Sequence, residues 1–136
     1  MSAYREQPMP PVLVVAFNGR VFGVDLATGE ARWEHNLSGV ESPAILVTSD
    51  AIYAASERKL TCLRYPDGKR LWSVDVSAGG RATLLLEGDR IVVAHQGEVA
   101  CFTRDGARTW HNAFTGKGVG VVALGTPGNV AQADQG

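Results

Sequence analysis

The chain has 136 residues, 45% of them hydrophobic and 20% charged, with a formal net charge of −1. That composition fits one folded domain and excludes a disordered chain, and the size leads to the expectation of a single core. The balanced charge excludes a global field that would draw the protein to nucleic acid or to an acidic membrane surface, so neither is expected as a partner and any binding must rest on local chemistry.

Residues 1–11 read as a polar arm. They carry three prolines and no apolar core of the kind a signal peptide needs, and the run Val12 to Phe17 is strand-sized, so no leader and no membrane span is expected. The two cysteines, Cys62 and Cys101, are read as reduced thiols in a cytoplasmic setting.

From Val12 onward the chain repeats. Leu13 to Ala16, Ile52 to Ala55 and Ile91 to Ala94 are the same apolar strand at steps of 39 residues. Val21, Leu60 and Val99 open a second strand at the same step, Gly29, Gly68 and Gly106 mark a turn, and Trp33, Trp72 and Trp110 follow at steps of 39 and 38. A further strand precedes the second and third units, at Pro43 to Val47 and at Ala82 to Leu86. The middle unit sets the pattern: strand A at Ala44 to Thr48, B at Ala51 to Ala55, C at Leu60 to Tyr65 and D at Arg70 to Val76. Strand B is apolar on both faces, as the middle of a packed sheet requires, whereas D alternates, as an outer strand with one wet side does. No segment has helical spacing of apolar residues. Four antiparallel strands per 39 residues predict an all-β chain of β-propeller blades, about three of them, over 12–38, 42–77 and 82–115, within a repeat region of 12–131 and before a tail at 132–136.

Gly23-Val-Asp-Leu-Ala-Thr-Gly-Glu-Ala-Arg-Trp33 resembles the tryptophan-docking pattern of the PQQ-like (quinoprotein-type) repeat family, Ala-x-Asp-x-x-Thr-Gly-x-x-x-Trp. The second unit departs from it with Arg64 at the aspartate position, and the third has a shorter turn with Phe102 there. The resemblance covers about residues 12 to 131 and implies a propeller whose tryptophans lock adjacent blades. The residues agree with it on physical grounds. Asp25 and Thr28 suit hydrogen bonds to the turn backbone, and Gly29, Gly68 and Gly106 suit the left-handed turn position. Each indole of Trp33, Trp72 and Trp110 needs one acceptor for its N–H. The quinone enzymes of the family use much larger propellers with dedicated ligands that have no match here, so PQQ is not expected and no cofactor is assigned.

Three blades do not close a ring, since propellers have four to eight. The proline-rich head cannot supply a first strand A, whereas Gly120 to Leu124 falls where strand A of a fourth blade would begin. The expectation is a homodimer completing a six-bladed ring, each chain lending 120–124 to its partner's first blade. The alternative is a section of a longer propeller.

Chemistry is sparse. No nucleophile elbow and no metal-ligand spacing occurs, so an enzyme is not favoured. His35 and His111 read as solvated residues on D strands. His95 opens a B–C loop on the same propeller face as Arg20, Arg58 and Lys59. The D–A connections Ser38–Ser42, Ser77–Arg81 and Thr115–Gly118 lie there too, with Arg81 and Lys117 beside glycines that could form an anion nest. The expected function is a non-catalytic scaffold binding a protein partner. The alternative is a small-molecule or anion receptor, or an enzyme, at the channel mouth.

Overall fold

A computed structural model describes residues 11–37, 39, 42–56, 58–76 and 81–132. The arm before residue 11, Ser38, Val40, Glu41, Glu57, Ser77–Gly80 and the tail from 133, all of which entered the readings above, lie outside the described residues.

Thirteen strands are formed among the described residues, and no helix. The first sheet holds β1 (Val12–Phe17), β2 (Arg20–Asp25) and β3 (Ala31–Asn36). The second holds β4 (Ala44–Val47), β5 (Ala51–Ser56), β6 (Lys59–Arg64) and β7 (Arg70–Asp75). The third holds β8 (Ala82–Glu87), β9 (Arg90–His95), β10 (Glu98–Thr103) and β11 (Arg108–Asn112). A hairpin of β12 (Ala123–Thr126) and β13 (Asn129–Gln132) follows. Every pairing is antiparallel between strands adjacent in sequence, so each sheet is a simple meander in chain order. These are propeller blades, with strands B, C and D in the first, all four in the second and third, and A and B of a fourth.

Local sequence dictates the turns. Phe17 pairs with Arg20 and His95 with Glu98 across two-residue loops. The loop residues Asn18-Gly19 and Gln96-Gly97 all have positive φ, the conformation that matches the twist of the flanking strands. The amide of Leu37 donates to Gly19 O and that of Val76 to Arg58 O, each at 2.7 Å, so the end of a D strand is tied to the B–C turn of its own blade.

Packing is face to face between blades. Val14, Ala16 and Val21 of the first blade meet Ile52, Ala54 and Leu63 of the second. Tyr53, Leu60 and Cys62 of the second meet Leu84, Ile91, Val93, Ala100 and Phe102 of the third. Every residue of β5 is buried because this strand has a blade on each side, while β11 is exposed throughout. Removing side chains such as Ile52, Leu63 or Ile91 wholly from water contributes about 1.5–3 kcal/mol each.

One expectation is corrected. Residues 120–124 do not form a spare strand. The positive φ of Gly118 interrupts the approach, Val122 O accepts from Thr83 Oγ1 at 2.6 Å, and the strand begins only at Ala123. It then turns through Pro127-Gly128 and pairs with β13, with Leu124 opposite Ala131. The Asn129 side-chain amide donates to Leu86 O at 2.7 Å and fastens the hairpin to the third blade.

Candidate functional site

Two ends of the blades carry different chemistry. At one end lie the C–D turns. Asp25 Oδ1 accepts from the Ala27 and Thr28 amides at 2.9 and 3.3 Å, and Thr28 Oγ1 from Glu30 N at 3.2 Å. Gly29, Gly68 and Gly106 all have φ between +76° and +93°. The Arg32 guanidinium, 2.6 Å from Asp25, holds that carboxyl below its ordinary range, and Arg64 does the same more strongly for Asp67, to about 2.

These turns receive the tryptophans. Trp33 Nε1 donates to Pro66 O at 2.7 Å and Trp72 Nε1 to Arg104 O at 3.0 Å, each reaching the turn of the following blade. The indole of Trp33 covers Gly68 and that of Trp72 covers Gly106, where an added Cβ would collide with the ring. Trp33 also lies over Gly23, its partner across β2 and β3. A break in register follows the tryptophan pair in every blade, after Gly23, Cys62 and Cys101. Such bulges re-aim a side chain, and they are what turns the D-strand tryptophan toward the next blade; no residue type announced them. Trp110 occupies the same position but is 45% exposed, and no acceptor for its N–H is present among the described residues.

A second latch joins blades two and three. Arg104 Nε donates to the Tyr53 hydroxyl at 2.8 Å, and its Nη2 reaches Asp50 and Thr48 at 3.2 and 3.3 Å. Between blades one and two, the Tyr65 hydroxyl accepts from Val12 N at 2.8 Å and donates to Val12 O at 2.9 Å. Neither tyrosine nor Arg104 stood out in the sequence, because each has no counterpart in the other units.

The opposite end holds the B–C turns and the basic residues expected to bind. Arg20 is paired with Glu34 at 3.0 Å and Lys59 with Asp75 at 2.7 Å, across neighbouring strands of their own blades. Both pairs lie at the surface, and Lys59 in turn depresses the Asp75 carboxyl. Arg58 and Lys117 are exposed, Arg58 at a left-handed turn position. His95 is corrected: it closes β9 rather than opening a loop, and at 3% exposure it belongs to the core. His111 Nε2 lies 2.9 Å from Glu98, and burial together with Arg70 lowers the His35 pKa.

Two of the expected residues border sizeable concavities: Lys59 an open hollow of about 400 Å³ with His35, Asn36, Leu37, Thr61, Arg70 and Ser73, and Arg81 a larger one. An open groove of about 620 Å³ runs along the inner strands, between Ser42–Leu46 of the second blade, Arg81–Leu84 of the third, and Val130 and Ala131. Arg81 also edges an apolar hollow of about 310 Å³ with Gln96, Val119, Gly120 and Val121. No group of three His, Cys, Asp or Glu side chains converges on a metal-sized site among the described residues.

Blades of four strands locked by an indole on a turn glycine define a β-propeller of the PQQ-like repeat class. Residues 17–134 match the family model described as outer membrane protein assembly factor BamB, and the chain belongs to that family. It is 28% identical over 116 residues to outer membrane protein assembly factor BamB of Marinobacter adhaerens (strain DSM 23420 / HP15), an alignment covering 82% of this chain and 29% of that one. The chain thus spans under a third of its relative's length. Among solved structures it is similar to a europium-containing methanol dehydrogenase, with TM-score 0.56 and 16% identity over 74% of this chain and 22% of that one, a likeness of fold alone. BamB from Moraxella catarrhalis aligns with TM-score 0.45 and 13% identity over 90% of this chain and 56% of that one.

Proposed function

We propose that this chain is a non-catalytic propeller module that holds a polypeptide partner, with the groove beside Arg81 as the receiving surface and two copies of the chain making up the working assembly. The observation that carries the reading is the groove itself. It is open, lies against β4 and β8, mixes polar main chain with the side chains of Ala44, Leu46, Thr83 and Leu84, and has Arg81 at its border, a surface suited to an extended chain with an acidic residue near one end. The family match supports it, since the relative's name describes an assembly factor.

The test is site-specific photo-crosslinking from positions 46 and 81. A discrete protein adduct at both positions, lost on Arg81→Glu, is the expected outcome. Absence of any adduct, together with a metabolite that raises the melting temperature of the wild type and not of Arg81→Glu, would replace this reading with the small-molecule one.

A further inference from the structure

The gap between neighbouring blades occurs twice among the three blades, and its outer part differs between the two. In each case the D strand of one blade faces strands C and D of the next. Between blades two and three this place is shut. His95 lies in the core, the Glu98–His111 pair spans β10 and β11, and the space left beside Val76 and Ala100 is about 10 Å³, enough for no more than one water molecule. Between blades one and two the same place is an open hollow of about 400 Å³.

Differences between the repeats account for this. Ser56 stands where the third blade has His95, and Ser73 where it has His111, so less side chain enters the gap. Lys59 stands where the third blade has Glu98, and Thr61 where it has Ala100. On the facing strand, His35 stands where the second blade has Val74. Strand register brings these residues to one space. His35 pairs with Val21, which is buried against the second blade, and Thr61 pairs with Ser73. The bulge after Cys62 sets Arg70 opposite Leu63, which is buried toward the first blade. The guanidinium therefore borders the hollow instead of following Trp72 toward the third blade.

The lining is rich in donors and basic. Among the described residues no carboxylate lines the hollow, and Arg70 has no ion-pair partner. Lys59 shares its charge with Asp75, a strongly exposed carboxylate outside the lining. Burial, and after it Arg70, push the His35 pKa down, so near neutral pH the ring is uncharged and offers one N–H. Thr61 is 4% exposed, and its hydroxyl lies 3.2 Å from that of Ser73. One hydroxyl proton serves that bond, which leaves the other for a ligand.

A guanidinium fork, an ammonium, a hydroxyl proton and an imidazole N–H around one open space call for several acceptor oxygens carrying more than one negative charge. We propose that this hollow binds a doubly charged tetrahedral oxyanion, a phosphate group held by Arg70 and Lys59, with the Thr61–Ser73 hydroxyls and His35 completing its hydrogen bonds. Because the hollow is open, the group is either inorganic phosphate or the phosphate end of a monoester whose remainder stays in water. The groove beside Arg81 runs along the inner strands, so this site stands or falls independently of the peptide reading.

Calorimetric titration of the full chain with inorganic phosphate, and separately with phenyl phosphate, tests this at constant ionic strength and mildly alkaline pH, where both probes are doubly charged. Saturable one-to-one binding is expected, with a Kd of about 1 mM or tighter, together with shifts of the NMR signals of His35, Thr61 and Ser73. Tighter binding of the free ion assigns the site to inorganic phosphate, and tighter binding of the ester assigns it to an organic phosphate. Arg70→Gln should weaken binding about tenfold or more and Ser73→Ala about threefold, as loss of a charged and of a neutral donor should. Arg108→Gln removes the corresponding charge of the third blade, outside the hollow, and should bind like wild type. Arg70 is exposed, so its variant should keep the wild-type circular dichroism and melting temperature without phosphate. No saturable binding of either probe would overturn the proposal, as would Arg70→Gln binding like wild type, or acetate and chloride reproducing the NMR shifts.

Discussion

The indole of Trp72 lies on Gly106 of the next blade, so close that a single added methyl at that glycine would come within 2.9 Å of the ring. One contact thereby fixes the spacing of two sheets and satisfies the indole N–H through Arg104 O. Trp72→Ala should destabilise the fold by about 3–5 kcal/mol, the cost of emptying a large aromatic site. Trp72→Phe should lose about 1 kcal/mol for the missing hydrogen bond, with a further loss where the smaller ring leaves a gap. Urea unfolding measures both, and a midpoint unchanged in Trp72→Ala would contradict the packing described.

The seat glycines separate steric from conformational cost. Gly68→Ala pays for its positive φ and for a Cβ driven into Trp33, while Gly88→Ala pays only for φ, since nothing lies within 4 Å of its Cβ position. The first should cost about 2–4 kcal/mol and the second about 1 kcal/mol. Equal losses in thermal unfolding would show that the indole does not rest on Gly68.

Arg104 and Tyr53 form the second latch between blades two and three. Arg104 is partly in water, so its contribution is reduced by screening, and a double-mutant cycle with Arg104→Ala and Tyr53→Phe should give a coupling of about 0.5–1 kcal/mol. Additive losses would remove the latch.

Acid should weaken the fold through its turn carboxylates. Asp67 is held at about 2 by Arg64, and Asp25 and Asp75 are lowered by Arg32 and Lys59. A depressed folded pKa gives stability that is complete above the unfolded value near 3.8 and is lost as pH falls through the folded one. The window therefore runs from about 4 down to about 2. Asp67→Asn should flatten the stability curve in that interval and leave its shape at neutral pH unaltered, as thermal melts along a pH series can show.

Burial pushes the Cys62 thiol up to about 11, and Cys101 is equally enclosed. Both thiols are unbridged. Neither should react with a thiol reagent at pH 7.5 until the chain is unfolded, when two equivalents should be titrated. Rapid labelling of the native protein would show the blade cores to be open.

Much of the fold was legible because blade strands are short, regular and spelled by apolar runs between Gly-rich turns. The four-strand unit of the middle blade is found within a residue or so of its expected limits. Interface contacts made once, as by Tyr65 and Arg104, leave no periodic trace. Neither do the bulges beside Gly23, Cys62 and Cys101, which depend on main-chain register. The partners of the basic loop residues were hidden for a different reason: charge along a turn does not reveal that Glu34 and Asp75, on the next strand of the blade, pair with Arg20 and Lys59. His95 misled because strand β9 runs one residue further than its apolar run.

The hydroxyl of Tyr65 takes up both main-chain groups of Val12. These groups point away from β2, and left open they would offer a donor and an acceptor to a passing strand. A phenol on the neighbouring blade thus acts as a stopper at the end of β1, and Tyr65→Phe would uncover both groups.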